Sequence, residues 1–155
     1  MTLSNLWLFL HLFFAFAFVG SLIVAEWCGR AARVSSDWKT RALLFDLVKK
    51  ASAAAGLGPL VLLGVFGNLR ALAIGLPMAT PWLRAANVLW LLAVILMVTA
   101  NLPGAARLAT LAAGAGDGNV PAGWAAAHRR WRIASAGQTV LYLALLLVMV
   151  YGPRR

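Results

Sequence analysis

Aromatic residues bracket the apolar runs of this chain at the spacing of a membrane. Trp7 and Trp27 stand twenty residues apart around the first run, and Trp131 and Tyr151 stand twenty apart around the last. Twenty helical residues rise about 30 Å, the thickness of a bilayer's hydrocarbon core. Trp and Tyr favour the headgroup layers because each has an apolar body and a polar edge. A segment crossing hydrocarbon must satisfy its own backbone hydrogen bonds, so each run has to be helical. The pattern specifies an all-α membrane protein, an antiparallel bundle of four transmembrane helices in one domain over residues 1–155. Composition agrees, because 63% of the residues are hydrophobic and 12% are charged, too few to clothe a soluble domain.

The spans fall at about 5–28, 43–75, 82–101 and 124–152. The first reads as a retained span, since no basic segment precedes it and no small-residue cleavage site follows. Gly58-Pro59 inside the second predicts a kink, because proline removes a helical hydrogen bond and crowds the preceding turn. Asn101-Leu102-Pro103-Gly104 is expected to end the third, and a short helix over 105–113 to lie along the interface. Gly114 to Asn119 reads as a flexible loop. Small residues at four-residue spacing (Ala17, Ser21 and Ala25, then Ser52 and Gly56) suit close helix packing or contact with a partner chain.

The formal net charge is +10. In a soluble protein that would point to nucleic acid. Here the basic residues sit between apolar runs, which implies membrane topology and attraction to anionic lipid headgroups, with no nucleic-acid partner. Ten fall in the first and third connections (Arg30, Arg33, Lys39, Arg41, Lys49, Lys50; Arg107, Arg129, Arg130, Arg132), against Arg70, Arg84, Arg154 and Arg155 at the other end. By the positive-inside rule both termini lie outside the cytoplasm, in a bacterial inner membrane. Glu26 and Asp46 are expected to pair with Arg130 and Arg132 across the bundle mouth.

Catalytic machinery is hard to assemble from these residues. Cys28 is the single cysteine, so a relay of paired thiols is excluded. The chain has no phosphate-cradling glycine loop, no metal-spaced cluster and no nucleophilic triad. His11 lies about 6 Å inside Trp7 by helical rise, while His128 adjoins Trp131 near the opposite surface. The two are thus separated by about 25 Å along the membrane normal and cannot share one metal. His128, within a basic run, is expected to be solvated or in contact with headgroups.

One level of the bundle gathers polar and soft side chains. His11, Asn68, Asn87 and Met149, one from each span, fall in the same layer near the termini. Asn87, Trp90, Val94, Met97 and Asn101 share a face of the third span. Trp131, Ser135, Gln138, Tyr142, Leu145 and Met149 share a face of the fourth. Lipid offers these groups no hydrogen-bond partner, so both faces should point inward. The groups then either satisfy one another, His11 with Asn87 or Asn68 and Gln138 with Thr99 or Ser52, or they form a cofactor pocket. In the pocket reading haem b or a quinone binds, His11 is the metal ligand, Met149 stands opposite, and Trp90 and Tyr142 flank the ring. Asn87 would orient the imidazole. Without a catalytic set, the leading expectation is an accessory or structural subunit of a larger membrane complex, with the redox cofactor protein as its alternative.

Leu10-His11 resembles the Leu-His pair early in the first span of the haem-containing bacterial protoporphyrinogen oxidase family. That family's later lysine has no counterpart in Ala86-Asn87-Val88-Leu89-Trp90. Thr99-Ala100-Asn101-Leu102-Pro103, Trp124 and Arg130-Trp131-Arg132 resemble the anthrone-oxygenase-like membrane family, whose third span ends in an Asn/Pro turn. Both resemblances imply small four-helix bacterial membrane proteins, and the first implies haem.

Orientation is directly testable in a Cys28→Ser background. An impermeant thiol reagent should label Ser4→Cys in intact cells and spare Ser36→Cys. Labelling of Ser36→Cys alone would invert the topology.

Overall fold

The computed structural model describes residues 3–115 and 119–152. Its helices are α1 (Leu3–Val34), α2 (Trp38–Ala51), α3 (Gly58–Ala73), α4 (Pro81–Leu96), α5 (Leu102–Ala113) and α6 (Trp124–Tyr151). Two π-helical stretches, Ser52–Leu57 and Met97–Asn101, join α2 to α3 and α4 to α5 without a break. The product is four rods of 32, 36, 33 and 28 residues, each long and apolar enough to cross a membrane. They pack as an antiparallel four-helix bundle, with α1 against the α2–α3 rod and α6 against the α4–α5 rod. Asp117, together with Gly116 and Gly118 of the glycine loop, and Arg154 and Arg155 of the charge count, lie outside the described residues.

The third rod corrects one expectation. Asn101 to Gly104 do not end it, and residues 105–113 do not form a separate interfacial helix, because the rod stays helical from Pro81 to Ala113. Pro103 follows the π stretch Met97–Asn101 by two residues, and Pro59 stands in the same relation to Ser52–Leu57. Each proline therefore occupies the first turn of a renewed α-helix. There its missing N–H matters least, and the wider turn before it accommodates the ring. The helix continues because the π turn absorbs the proline.

At 1.5 Å per residue these rods run about 40–55 Å, well beyond a hydrocarbon core. The bundle accordingly has two cores. One, near mid-bundle, is built on Phe18, Leu60, Leu63, Ala93 and Met97. The other lies at the basic end, where α2 and α5 pack on α1 and α6, and is built on Phe45, Val48, Ala105, Leu108 and Trp131. Trp131 is 4% exposed. Its indole sits over Gly29 of α1 and Gly104 of α5, so it is a core wedge and not the lipid-facing anchor its bracket implied. Trp27, in contrast, is 75% exposed. Between the two cores lie the buried polar side chains Ser21, Ser52, Asn101, Ser135 and Gln138.

The ends are closed locally. Asp37 caps α2 by accepting from the N–H groups of Lys39 (3.2 Å) and Thr40 (2.8 Å). A bond from the Thr40 hydroxyl, then those N–H groups, holds the Asp37 carboxyl below its ordinary range. The cap is thus fully formed at neutral pH and is lost as pH falls through that lowered value. Gly75 closes α3 with φ of 69°, where Leu76 N–H donates to Ala71 and Gly75 N–H to Leu72. The carboxylates expected to bridge the bundle mouth pair along their own helices. Glu26 meets Arg30 at 2.9 Å, and Asp46 meets Lys49 and Lys50 at 2.7 Å each. A neighbour three or four residues away is reached at less entropic cost than an arginine on another rod.

The Trp131 wedge sets up a paired measurement. A Cβ on Gly29 would come within 2.6 Å of the indole, whereas one on Gly20 of the same helix meets nothing within 4 Å. Gly29→Ala should destabilise the bundle by about 1–3 kcal/mol through overpacking. Gly20→Ala should stabilise it by about 0.5–1 kcal/mol through helix propensity. Unfolding in mixed detergent reads both signs.

Candidate functional site

Near the termini α3 exposes bare backbone on its inward face. A side chain at i+4 normally overlies the carbonyl of residue i, because Cβ leans toward the helix N-terminus. Gly64 and Gly67 have no side chain, so the carbonyls of Leu60 and Leu63 are left open to neighbours. Both are used. Trp90 Nε1 donates to Leu60 O at 2.7 Å, and its indole occupies the space that a Cβ on Gly64 would fill. His11 Nδ1 bonds Leu63 O at 2.7 Å, with the ring against Gly67. A carbonyl only accepts, so Nδ1 must carry a hydrogen, and in the tautomer this selects Nε2 carries the lone pair. No protein donor meets that Nε2 among the described residues.

Asn68 and Asn87 complete the polar part. Asn68 Nδ2 donates to Gly64 O at 2.9 Å and to Asn87 Oδ1 at 2.8 Å, and Asn87 Nδ2 returns a bond to Asn68 Oδ1 at 3.1 Å. Because Gly64 O can only accept, the orientation of both amides is fixed. Asn68 spends both of its protons, whereas Asn87 keeps one N–H free.

These groups line a cavity of about 280 Å³ whose walls also include Leu8, Leu12, Leu145, Trp82 and Met149, with Arg70 at its rim. Of the sequence-derived candidates, His11, Asn87, Trp90 and Met149 are brought together here. Tyr142 is not among the lining residues and instead packs edge-on against Phe18 at 5.7 Å in the mid-bundle core. Asn87 partners Asn68, and the imidazole is oriented by Leu63 O. Gln138 pairs with Asn101 at 3.2 Å, in place of Thr99 or Ser52, and Thr99 turns back to Ile95 O. Gln138 is fully buried and its Nε2 has no protein acceptor, beside a void of about 10 Å³, near the threshold for one water. The described residues contain no group of three metal-ligating side chains.

His128 is half-buried among aromatic rings and not free in solvent. Its ring stacks on Trp124 at 6.0 Å and 9°, with Phe45 edge-on at 6.1 Å, and its Nε2 is shielded with no partner. Arg41 lies over the adjoining Trp38 ring at 4.2 Å. The aromatic residues of the basic end therefore make a closed cluster around an imidazole that the basic run had concealed.

Gly64 and Gly67 are the functional positions that periodicity alone did not mark. Their signal was two glycines three residues apart inside an apolar span, facing the helices that carry His11 and Trp90. Comparison with protein-family models, with characterised proteins and with solved structures yields no match for this chain. The site therefore stands on its own geometry.

That geometry makes Gly67 a test of His11. A Cβ there would fall 2.9 Å from His11 Nδ1. Gly67→Ala should break the bond to Leu63 O and mix the two imidazole tautomers. Nitrogen-15 NMR of labelled histidine should show a single tautomer in the parent protein and averaged shifts in the variant. Identical spectra would mean that Leu63 does not fix the ring.

Proposed function

We propose that this chain is a multi-pass membrane protein that binds the ring of a lipid-soluble quinone or quinol in the cavity around His11. The observation that carries the reading is the bond between His11 Nδ1 and the Leu63 carbonyl. Nδ1–H is committed to Leu63 O, which leaves the Nε2 lone pair as an acceptor beside an apolar cavity. A quinol hydroxyl donates to that lone pair. An oxidised ring instead takes the remaining N–H of Asn87 at a carbonyl oxygen. Trp90 and the leucines supply flat apolar walls, and a prenyl tail leaves between helices into lipid. Few polar groups in an apolar hollow is the usual composition of a small-molecule site.

Haem b is the second occupant the same imidazole supports, with His11 as axial ligand and Met149 as the opposite one. About 280 Å³, with the Asn68–Asn87 pair in its wall, favours the smaller ring. A second reading, an accessory or structural subunit of a larger membrane complex, rests on the missing catalytic set and the exposed apolar faces; the small-residue ridges add little to it, because most of their residues pack inside the bundle. Ser21 and Ala25 are buried, and Gly56 approaches Ser21 Oγ so closely that a Cβ would stand 3.1 Å away. We assign the protein to a bacterial inner membrane with both termini outside the cytoplasm, on the ten-to-four distribution of basic residues.

A short-chain benzoquinone titrated into the detergent-purified protein should quench tryptophan emission saturably. The midpoint should rise more than about tenfold in His11→Ala, equivalent to losing one good buried hydrogen bond, and stay unchanged in His128→Ala. Equal, non-saturating quenching in all three proteins would defeat the proposal. A Soret band lost only in His11→Ala would identify haem as the occupant.

A further inference from the structure

The seam between α1 and α6 opens at the basic end into a second cavity, of about 330 Å³. Its walls carry Glu26, Arg30 and Arg33 from α1 and His128, Trp131 and Arg132 from α6. Three guanidiniums face one carboxylate, and that carboxylate is already bound to Arg30. Arg33 and Arg132 have no carboxylate partner among the described residues, although they converge on one hollow from two different helices. Trp131 packs across α1 and α6 beside the hollow, and its burial against Gly29 keeps the two helices in register there. The His128 ring forms part of the same wall, with its Nε2 shielded from the hollow.

Position along the helix narrows the ligand. The apolar run of α1 ends at Glu26, so the cavity begins where the hydrocarbon core gives way to headgroups. Two uncompensated guanidiniums at that level match a phosphate group, whose oxygens accept forked N–H pairs from arginine. A scattered basic surface attracts anionic lipid without choosing a place for it. Here the cations are gathered into a cleft with an aromatic wall, which supplies both charge and shape.

We propose that the α1–α6 cleft is a binding site for a phosphate-bearing anion, held between Arg33 and Arg132. The phosphate reaches it either as the headgroup of an anionic phospholipid or as a free soluble anion. The site lies at the opposite end of the bundle from His11 and does not depend on what the His11 cavity binds.

Native mass spectrometry of the full-length protein, released from detergent with added phosphatidylglycerol, phosphatidylcholine or inorganic phosphate, tests this. One phosphatidylglycerol should persist on the parent protein where phosphatidylcholine does not. The double variant Arg33→Gln/Arg132→Gln should weaken its retention roughly 30-fold, the factor for removing two basic side chains at a headgroup surface. Arg129→Gln, which removes an exposed charge outside the cleft, should change it little. Retention of inorganic phosphate alone, with the same sensitivity to the double variant, would support the site and identify the soluble anion as its source. Equal loss in Arg129→Gln, or no loss in the double variant, would overturn it. All three cations are solvent-facing side chains, and an unchanged thermal midpoint in the variants would separate lost binding from lost fold.

Discussion

Inside a bilayer a donor that finds no protein acceptor finds no water either, and the termini end of this bundle is arranged around that fact. Three side chains from three rods, Trp90, His11 and Asn68, all find acceptors in the carbonyls of Leu60, Leu63 and Gly64. Those carbonyls already serve their own helix; the second lone pairs of Leu60 and Leu63 are open to other rods because Gly64 and Gly67 leave them uncovered, while that of Gly64 is taken by Asn68 one turn on. The glycines thus couple packing to chemistry. They let the helices approach, and the approach fixes which imidazole nitrogen faces the cavity.

At the other end the physics is different. The rods outrun the hydrocarbon, and the exposed faces of α2 carry Lys39, Lys49 and Lys50 while Phe45 and Val48 turn inward. A second core forms there by ordinary apolar burial, with Trp131 as its largest wedge and an aromatic cluster of Trp38, Phe45, Trp124 and His128 around it. The bundle therefore carries a second helical core beyond its mid-bundle one, joined to it without a linker through the two π turns.

Much of this was legible in the sequence. Periodicity assigned the inward faces of the third and fourth spans, and Met97, Asn101, Trp131, Ser135, Gln138 and Leu145 are all buried. Counting residues from the aromatic brackets put His11, Asn68, Asn87 and Met149 in one layer, helical spacing added Trp90, and all five line one cavity. The errors share a cause. Hydropathy marks where a segment stops being apolar, and helices need not stop there, so the third rod runs on to Ala113. An aromatic residue at belt spacing is an anchor only if it faces lipid, and Trp131 has Gly29 and Gly104 to receive it. Hydrogen-bond partners depend on rotamer and distance, which spacing does not carry. That is why Gln138 found Asn101 and His11 found a backbone carbonyl.

The π turn at Ser52–Leu57 has one more effect. Ser52, Gly56 and Leu60 are all buried at steps of four residues, where a regular α-helix averages 3.6 and would let such a row drift around its axis. The wider turn takes up the difference. Removing a single residue between Ala53 and Ala55 would return this turn to ordinary α-helix and leave the helices on either side near their present phase. Removing one between Leu60 and Leu63, in regular helix, would instead turn Gly64 and Gly67 away from His11 and Trp90 by about 100°, although neither had been changed. The alignment of that face is thus written in residue number as much as in residue identity.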